Sequence, residues 1–337
     1  MLSLFLALSL RATFPGHAPS IAYDGGGKLH VVYVDNGRVM HRVAGEEKAT
    51  AISPESMSKI ESRGENGPVV VSANGRLSIV YAADHHLYVQ HAANGSSWSA
   101  PIRVDDDKVS QFHSFLDAVA NKRSDLVLSW LDNRSGHQGV QTAVVHGASV
   151  SRNVAVDPFT CECCKTALLA RRNGDVVVAY RDHGDKNLRN MVYAVSRDGG
   201  ASFKSGGDVA DDQWRINGCP DSGPSLAETD DGTIWAAWFN GRVPAIEVAA
   251  KRGGRFDAAM VIAEGPVNHP QIAALPDGRL AVIYESGQSV SARVHNGGKW
   301  GEPFVVSEGA HPRFARHGND AVVAVARGET IEIFDWK

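Results

Sequence analysis

Short apolar runs that close on a bulky residue recur along the chain at intervals of nearly fifty residues, and this spacing constrains the fold more than anything else. Tyr33, Tyr81, Trp130, Tyr180, Trp238 and Tyr284 end six of these runs, and a weaker seventh centres on Val325. The separations are 48, 49, 50, 58 and 46 residues, then about 41. A period of roughly 40–50 residues built from short strands marks a β-propeller, one blade per repeat. The period also lets residues far apart in sequence be laid on one ring.

Each repeat has room for four strands. In the unit from Ser222 to Glu264, strands are expected over 224–228, 233–239, 245–251 and 257–263, with turns at Asp230-Asp231-Gly232 and Gly253-Gly254-Arg255-Phe256. Asn74-Gly75, Asn173-Gly174 and Asp277-Gly278 repeat the turn chemistry, because these residues tolerate the positive φ of tight hairpins. No helical periodicity competes, so the chain reads as all-β with four-stranded antiparallel blades. Residues 311–337 supply only three strands, over 313–315, 321–326 and 330–336. A ring that closes needs a fourth, or an edge stays exposed. Seven blades with a terminal strand closure are favoured, and six is the alternative.

Composition narrows the classes. With 337 residues, 43% hydrophobic and 21% charged, the chain suits one large globular domain. A formal net charge of −4, with no basic run, argues against nucleic acid as a partner. No apolar stretch reaches the roughly 18 residues of a membrane span. Residues 1–16 form an apolar N-terminal segment ahead of a single propeller domain over 17–337. Its block from Leu2 to Leu10 fits the apolar core of a secretory signal, although no Lys or Arg precedes it and Arg11 follows directly. The alternation of leucines fits equally a strand that closes the last blade.

Ser196-Arg197-Asp198-Gly199-Gly200-Ala201-Ser202-Phe203 occupies the turn between the third and fourth strands of the fourth repeat. It resembles the Asp-box, S-x-D-G-G-x-[ST]-[WF], of the sialidase-like propeller superfamily. Reduced versions fill the same turn at Asn94-Gly95-Ser96-Ser97-Trp98, Arg252-Gly253-Gly254-Arg255-Phe256 and Asn296-Gly297-Gly298-Lys299-Trp300. The resemblance covers about residues 17–337 and implies the propeller fold, with the aspartate capping the turn and the aromatic packing between sheets. The F/Y-R-I-P motif that supplies one arginine of the sialidase carboxylate clamp is missing from this sequence. Cys161-Glu162-Cys163-Cys164, followed by Asn217-Gly218-Cys219-Pro220, resembles exported bacterial sialidase-like proteins with C-x-C-C and a later G-C-P. That likeness implies a periplasmic or secreted protein.

Laying the repeats over one another collects a polar ring at one mouth of the channel. His17, Asn66, His113, Cys164, Ser222, His269 and His311 align within about one residue at the starts of the first strands. The loops after the second strands add Asp132, Arg134, Arg181, Asp182, Asn240, Arg242 and Glu285, among others. Loops are polar by default, so single members of such a set are more often surface than site. Arg134, Arg181, Arg215 and Arg242, with Asp182, are the catalytic candidates, because planar guanidinium groups bind carboxylates bidentately.

All four cysteines fall in the loops leading into the fourth and fifth repeats. In an oxidising compartment four cysteines form two disulfides, with three connectivities open. Thiolates also suit copper or zinc, and Cys161, Cys163, Cys164 and Cys219 with His113, His269 and His311 make the candidate metal set. A reactive thiol is the third reading. The chain is therefore expected to be an exported monomeric propeller that binds a metal ion or small ligand through a Cys/His cluster. A sialidase-type glycoside hydrolase acting on anionic glycans is the alternative.

Overall fold

In the computed structural model, which describes residues 8–93, 95, 97–108 and 112–337, seven antiparallel sheets follow one another around a ring. The protein is a seven-bladed β-propeller. The innermost strands of blades one to seven are His17–Tyr23, Val69–Ala73, His113–Ala120, Ala167–Ala170, Ser225–Glu228, Val267–Ala274 and Ala310–His317. Each blade runs outward through three further strand positions. In the third and sixth blades the outermost position is split, into Ser149–Val150 and Val154–Asp157, and into Lys299–Trp300 and Phe304–Glu308. Among the described residues the one helical element is a short 3-10 turn at Asp185–Asn187. Among the described residues no helix is long and apolar enough to cross a membrane.

The ring closes with a strand from the other end of the chain. Ser9–Pro15 pairs antiparallel with Thr330–Asp335 and becomes the outermost strand of blade seven. Residues 1–7, which carry most of the leucine alternation, lie outside the described residues. Phe14 is buried against Tyr33 of blade one, ring centroids 5.1 Å apart, and Arg42 lies over its face.

The core lies between the blades. Seven buried apolar clusters each join two neighbouring blades, such as Leu87, Leu128 and Trp130 between blades two and three. The recurrent anchors serve these layers: Tyr81, Trp130, Trp238 and Val325 have no exposed surface. Their polar tips are satisfied, since Trp130 Nε1 donates to Asp132 Oδ2 at 3.0 Å and Tyr81 Oη to Gln90 Oε1 at 2.7 Å, as buried donors require.

The Asp-box turn follows the hydrogen-bond logic of its sequence. Asp198 Oδ1 accepts from Ser202 N at 3.0 Å and from Ser196 Oγ at 2.7 Å, and Ser196 Oγ accepts from Gly200 N at 2.7 Å. Burial works to raise the Asp198 carboxyl, but the hydrogen bonds from Ser202 and Ser196 outweigh it and bring it down to about 2. Phe203, Phe256, Trp300 and Trp98 all pack against the cluster shared with the preceding blade. Asn94 and Ser96 of the last of these turns lie outside the described residues.

Blade one contains a buried histidine pair: His30 Nδ1 and His41 Nε2 are 2.9 Å apart, with the rings stacked and Trp98 edge-on to His41. Burial, and then the neighbouring His30, pushes His41 down to about 4. The folded value lies below the ordinary one of about 6.5, so the native state takes up fewer protons than the unfolded chain. His41 therefore leaves stability intact above pH 6.5 and subtracts from it as pH falls towards 4. Urea midpoints for the parent and His41→Gln, compared between pH 7 and 4.5, are expected to converge or cross as pH falls. A difference between them that does not change with pH would refute this assignment.

Candidate functional site

A repeated irregularity in the innermost strands positions the mouth of the channel. In blades one, three, six and seven the register slips by one residue opposite the anchors Tyr33, Trp130, Tyr284 and Val325. The bulged residues Ala18, Phe115, His269 and His311 take left-handed φ values of 49°, 52°, 45° and 51°. Such values are uncommon for residues other than glycine, and three of the four precede proline, which itself restricts the preceding residue. Strain of this kind costs about 1–3 kcal/mol per residue and concentrates at functional sites, while bulges re-aim side chains.

The bulge also explains how the expected ring divides. His269 and His311 occupy the bulge itself, His17 stands one residue before it, and His113 two residues before. Because side chains alternate along a strand, offsets of this size send the imidazoles to different places. The single Cys/His cluster expected from the sequence is thus three separate groups: His269 with Glu285 and His311, His113 with His86 and several aspartates, and the cysteines. His17 bonds instead to Glu329 and Ser62.

In the first group, Glu285 comes from the second strand of blade six and faces both histidines. His269 Nδ1 lies 2.9 Å from Glu285 Oε2 and His311 Nδ1 lies 3.4 Å from Oε1, yet both ring nitrogens are buried without a properly aligned hydrogen bond. The other ring nitrogen of His269 sits 2.7 Å from the Asp221 carbonyl, to which it must donate. Glu285 Oε1 also accepts from His311 N at 2.6 Å. Burial opposes charge on His269, but Glu285 and Glu65 overcome it and lift the ring to about 9. Burial, and then His269, holds His311 at about 4.

Below this group lies a cavity of about 270 Å³, lined by innermost strands from all seven blades. Glu65, Asp117, Lys165 and Arg313 are its charged side chains. Lys165 Nζ is 3.9 Å from Asp117 Oδ1, and burial depresses the Lys165 ammonium. Glu65 also accepts from Gly223 N at 2.5 Å, where a Cβ would run into the Lys165 carbonyl. Gln271 and Arg313, two residues along the strands from His269 and His311, reach the same cavity.

The second group is a network of aspartates, histidines and arginines between blades two and three. His113 Nε2 is 2.6 Å from Asp107 Oδ2 and 3.8 Å from both Asp105 and Asp132, while its Nδ1 contacts the His85 carbonyl. Arg134 spans Asp132, Asp106, Asp107 and Asn153, and Arg103 pairs with Asp105. Each of these carboxylates thus lies against an arginine, as buried charges must be paired.

The third group holds the cysteines. Cys163 is bridged to Cys219, Cα atoms 6.0 Å apart, which ties the loop before blade four to the loop before blade five. Cys161 and Cys164 remain thiols, both buried, with Sγ atoms 3.4 Å apart. Beside them Arg181 is 1% exposed. Its guanidinium donates to the carbonyls of Phe239, Ser222 and Arg189 at 2.7, 3.3 and 3.3 Å, and lies over Trp214. Burial pushes the Asp212 carboxyl, 4.0 Å from Arg181, up to about 7.

A carboxylate clamp, left open by the sequence for the arginines as a group, does not assemble from them. Arg181 is committed to backbone carbonyls, Arg134 to the aspartate network, and Arg215 to the carbonyls of Asp185 and Lys186. Arg242 is exposed, and Asp182 is half-buried with its carboxyl raised by burial. The cations that reach the cavity are Lys165 and Arg313. Reading the sequence missed Glu65, Asp105, Asp107, Asp221 and Arg189. One signal was available: the recurrence of Ala18-Pro19, Gly67-Pro68, Gly223-Pro224, His269-Pro270 and His311-Pro312 marks the true alignment of the blades and separates His269 and His311 from His17 and His113.

Fold and site together define a seven-bladed propeller with histidine–carboxylate and thiol groups around one mouth. No family model matches the sequence, and no curated protein matches it. Among solved structures the chain is similar to virginiamycin B lyase from Staphylococcus aureus, at 10% identity over 98% of this chain and 99% of that one, with a TM-score of 0.63. It is similar to a protein of unknown function from Dyadobacter fermentans, at 14% identity over 98% and 99% of the two chains, with a TM-score of 0.59. A Hadza microbial sialidase is similar over 91% of this chain and 73% of that one, at 11% identity and a TM-score of 0.57. At these identities the likeness shows the fold alone, on which many functions are carried.

Proposed function

We propose that the protein is an exported metal-binding propeller, with a divalent transition-metal ion held by His269 Nδ1, His311 Nδ1 and Glu285 at the mouth of the central cavity. The observation that carries this reading is the convergence of two imidazole nitrogens and one carboxylate, with all three ligand atoms within 4.8 Å of one another. The His269 Nε2–Asp221 hydrogen bond supports it, because metal-bound imidazoles donate their other N–H to such a carbonyl. Imidazole and carboxylate together suit zinc, copper or iron. Three protein ligands leave coordination positions open, as in catalytic rather than structural sites. A small ligand with an oxygen donor would take an open position and extend into the cavity towards Lys165 and Arg313. The Cys163–Cys219 bridge supports an oxidising compartment, where disulfides persist.

Elemental analysis of the purified protein, followed by zinc titration calorimetry, tests the site. His311→Ala is expected to weaken zinc binding by at least about tenfold to a hundredfold, the range seen even for loss of outer-shell groups. Cys161→Ser is expected to leave it unchanged. Zinc affinity that survives His311→Ala and Glu285→Gln, or that collapses in Cys161→Ser, would overturn the assignment.

A further inference from the structure

The two thiols beside the disulfide take no part in the proposed metal site. Cys161 and Cys164 have C-x-x-C spacing, and the sulfurs of Cys161, Cys163 and Cys164 all lie within 4.8 Å of one another. The fourth sulfur, that of Cys219, belongs to an exposed residue, so the disulfide has one buried end and one end at the surface. The two thiols also differ. Arg181 and Arg189 stand near Cys161, and the buried Nε and Nη1 of Arg189 have no hydrogen-bond partner. A hydrogen bond from Cys164 outweighs burial and, with the Cys163 N–H and the two arginines, brings Cys161 down to about 7. Burial, and then Cys161, pushes Cys164 well up. One thiol is thus prepared as a nucleophile and the other as its resolving partner.

We propose that the four cysteines form a thiol–disulfide exchange site, in which a disulfide moves between Cys163–Cys219 and Cys161–Cys164 and so carries two electrons from the buried pair to the surface. The Cys161 thiolate attacks Cys163 Sγ, the Cys163–Cys219 bond breaks, and Cys219 leaves as a thiolate. Cys164 then attacks Cys161 Sγ, gives its proton to the departing Cys163, and closes the Cys161–Cys164 bond. One disulfide has formed and one has broken: Cys161 and Cys164 are oxidised, Cys163 and Cys219 reduced, and no outside reagent is consumed. The exposed Cys219 thiolate next attacks a small-molecule disulfide and releases one thiol. Cys163 displaces the second thiol and restores the Cys163–Cys219 bond. Over the cycle, one external disulfide is reduced to two thiols at the expense of Cys161 and Cys164.

The test incubates the whole protein with oxidised glutathione, quenches it with acid at timed intervals, alkylates free thiols and maps the peptides. The parent is expected to acquire the Cys161–Cys164 bond and to pass through a species in which that bond coexists with alkylated Cys219. In Cys219→Ser the bond is expected to form at least about tenfold more slowly, because the accessible thiol is gone. Circular dichroism checks that this variant is folded. Should it fail to fold, the transient alkylation of Cys219 in the parent decides alone. No Cys161–Cys164 bond in the parent, or its formation without alkylated Cys219 ever appearing, would overturn the proposal.

Discussion

A chain that begins after residue 15 is expected to lose its cooperative melt and to leave size-exclusion chromatography as aggregate. The missing segment would bare the whole edge of Thr330–Asp335, an unpaired template for intermolecular strand addition. It would also remove a connection between the last blade and the first: Arg11 contacts Asp335, reaches Asp320 Oδ1 at 2.7 Å and donates to Tyr23 Oη at 2.9 Å, and Tyr23 donates to Asp320 at 2.8 Å. A milder version isolates the packing contribution. Phe14→Ala deletes a ring that is 6% exposed and is expected to cost about 3–5 kcal/mol. Native stabilities are about 5–15 kcal/mol, so this one residue holds a large part of the margin. A Phe14→Ala protein with an unchanged denaturation midpoint, or a monomeric folded truncation, would show that the ring closes in some other way.

Arg181→Ala is expected to be comparably damaging, and as a defect of folding. The substitution leaves three carbonyls and the Asp212 carboxyl in a dry interior and takes the cation off Trp214. Removing one member of a buried ionic arrangement costs about 3–5 kcal/mol, because the groups left behind have no solvent to turn to. Arg181→Lys is expected to recover little, since an ammonium has no planar fork with which to bridge carbonyls from three separate segments. Urea denaturation of the three proteins measures this directly. A wild-type midpoint for Arg181→Ala, combined with loss of ligand binding, would return the residue to the list of binding groups.

Much of the architecture was legible because a propeller repeats its physics. Each blade must bury an aromatic or large aliphatic residue between sheets, so Tyr33 to Tyr284 mark the period, and Asn-Gly or Asp-Gly pairs mark the hairpins. The Asp-box fixed which turn was which. The site was legible only as a neighbourhood. Glu285, His269 and His311 appeared in the aligned loops, but an alignment accurate to one residue cannot say which side chains share a face. A one-residue bulge decides that. Pairing of the cysteines depended on the path of the 58-residue interval between Tyr180 and Trp238, whose excess length carries Cys219 back to Cys163. The arginines stayed open in the sequence for a related reason: a guanidinium at a strand end serves a carbonyl as readily as a carboxylate, and burial, which no short motif encodes, settles the choice.

The closing strand has a consequence in time. Ser9 bonds to Asp335, 326 residues further along the chain. At about 5–20 residues per second, synthesis keeps the first strand waiting on the order of 15–65 s for its partner. Throughout that interval Ser9–Pro15 is a strand without a sheet, the condition in which chains pair with the wrong neighbour. Arg11 and Pro15 are the residue types that discourage such pairing, a charge in the middle and a missing N–H at the end. The same Arg11 later bonds across the closed ring. One side chain therefore guards the strand while it waits and fastens it once the last blade arrives.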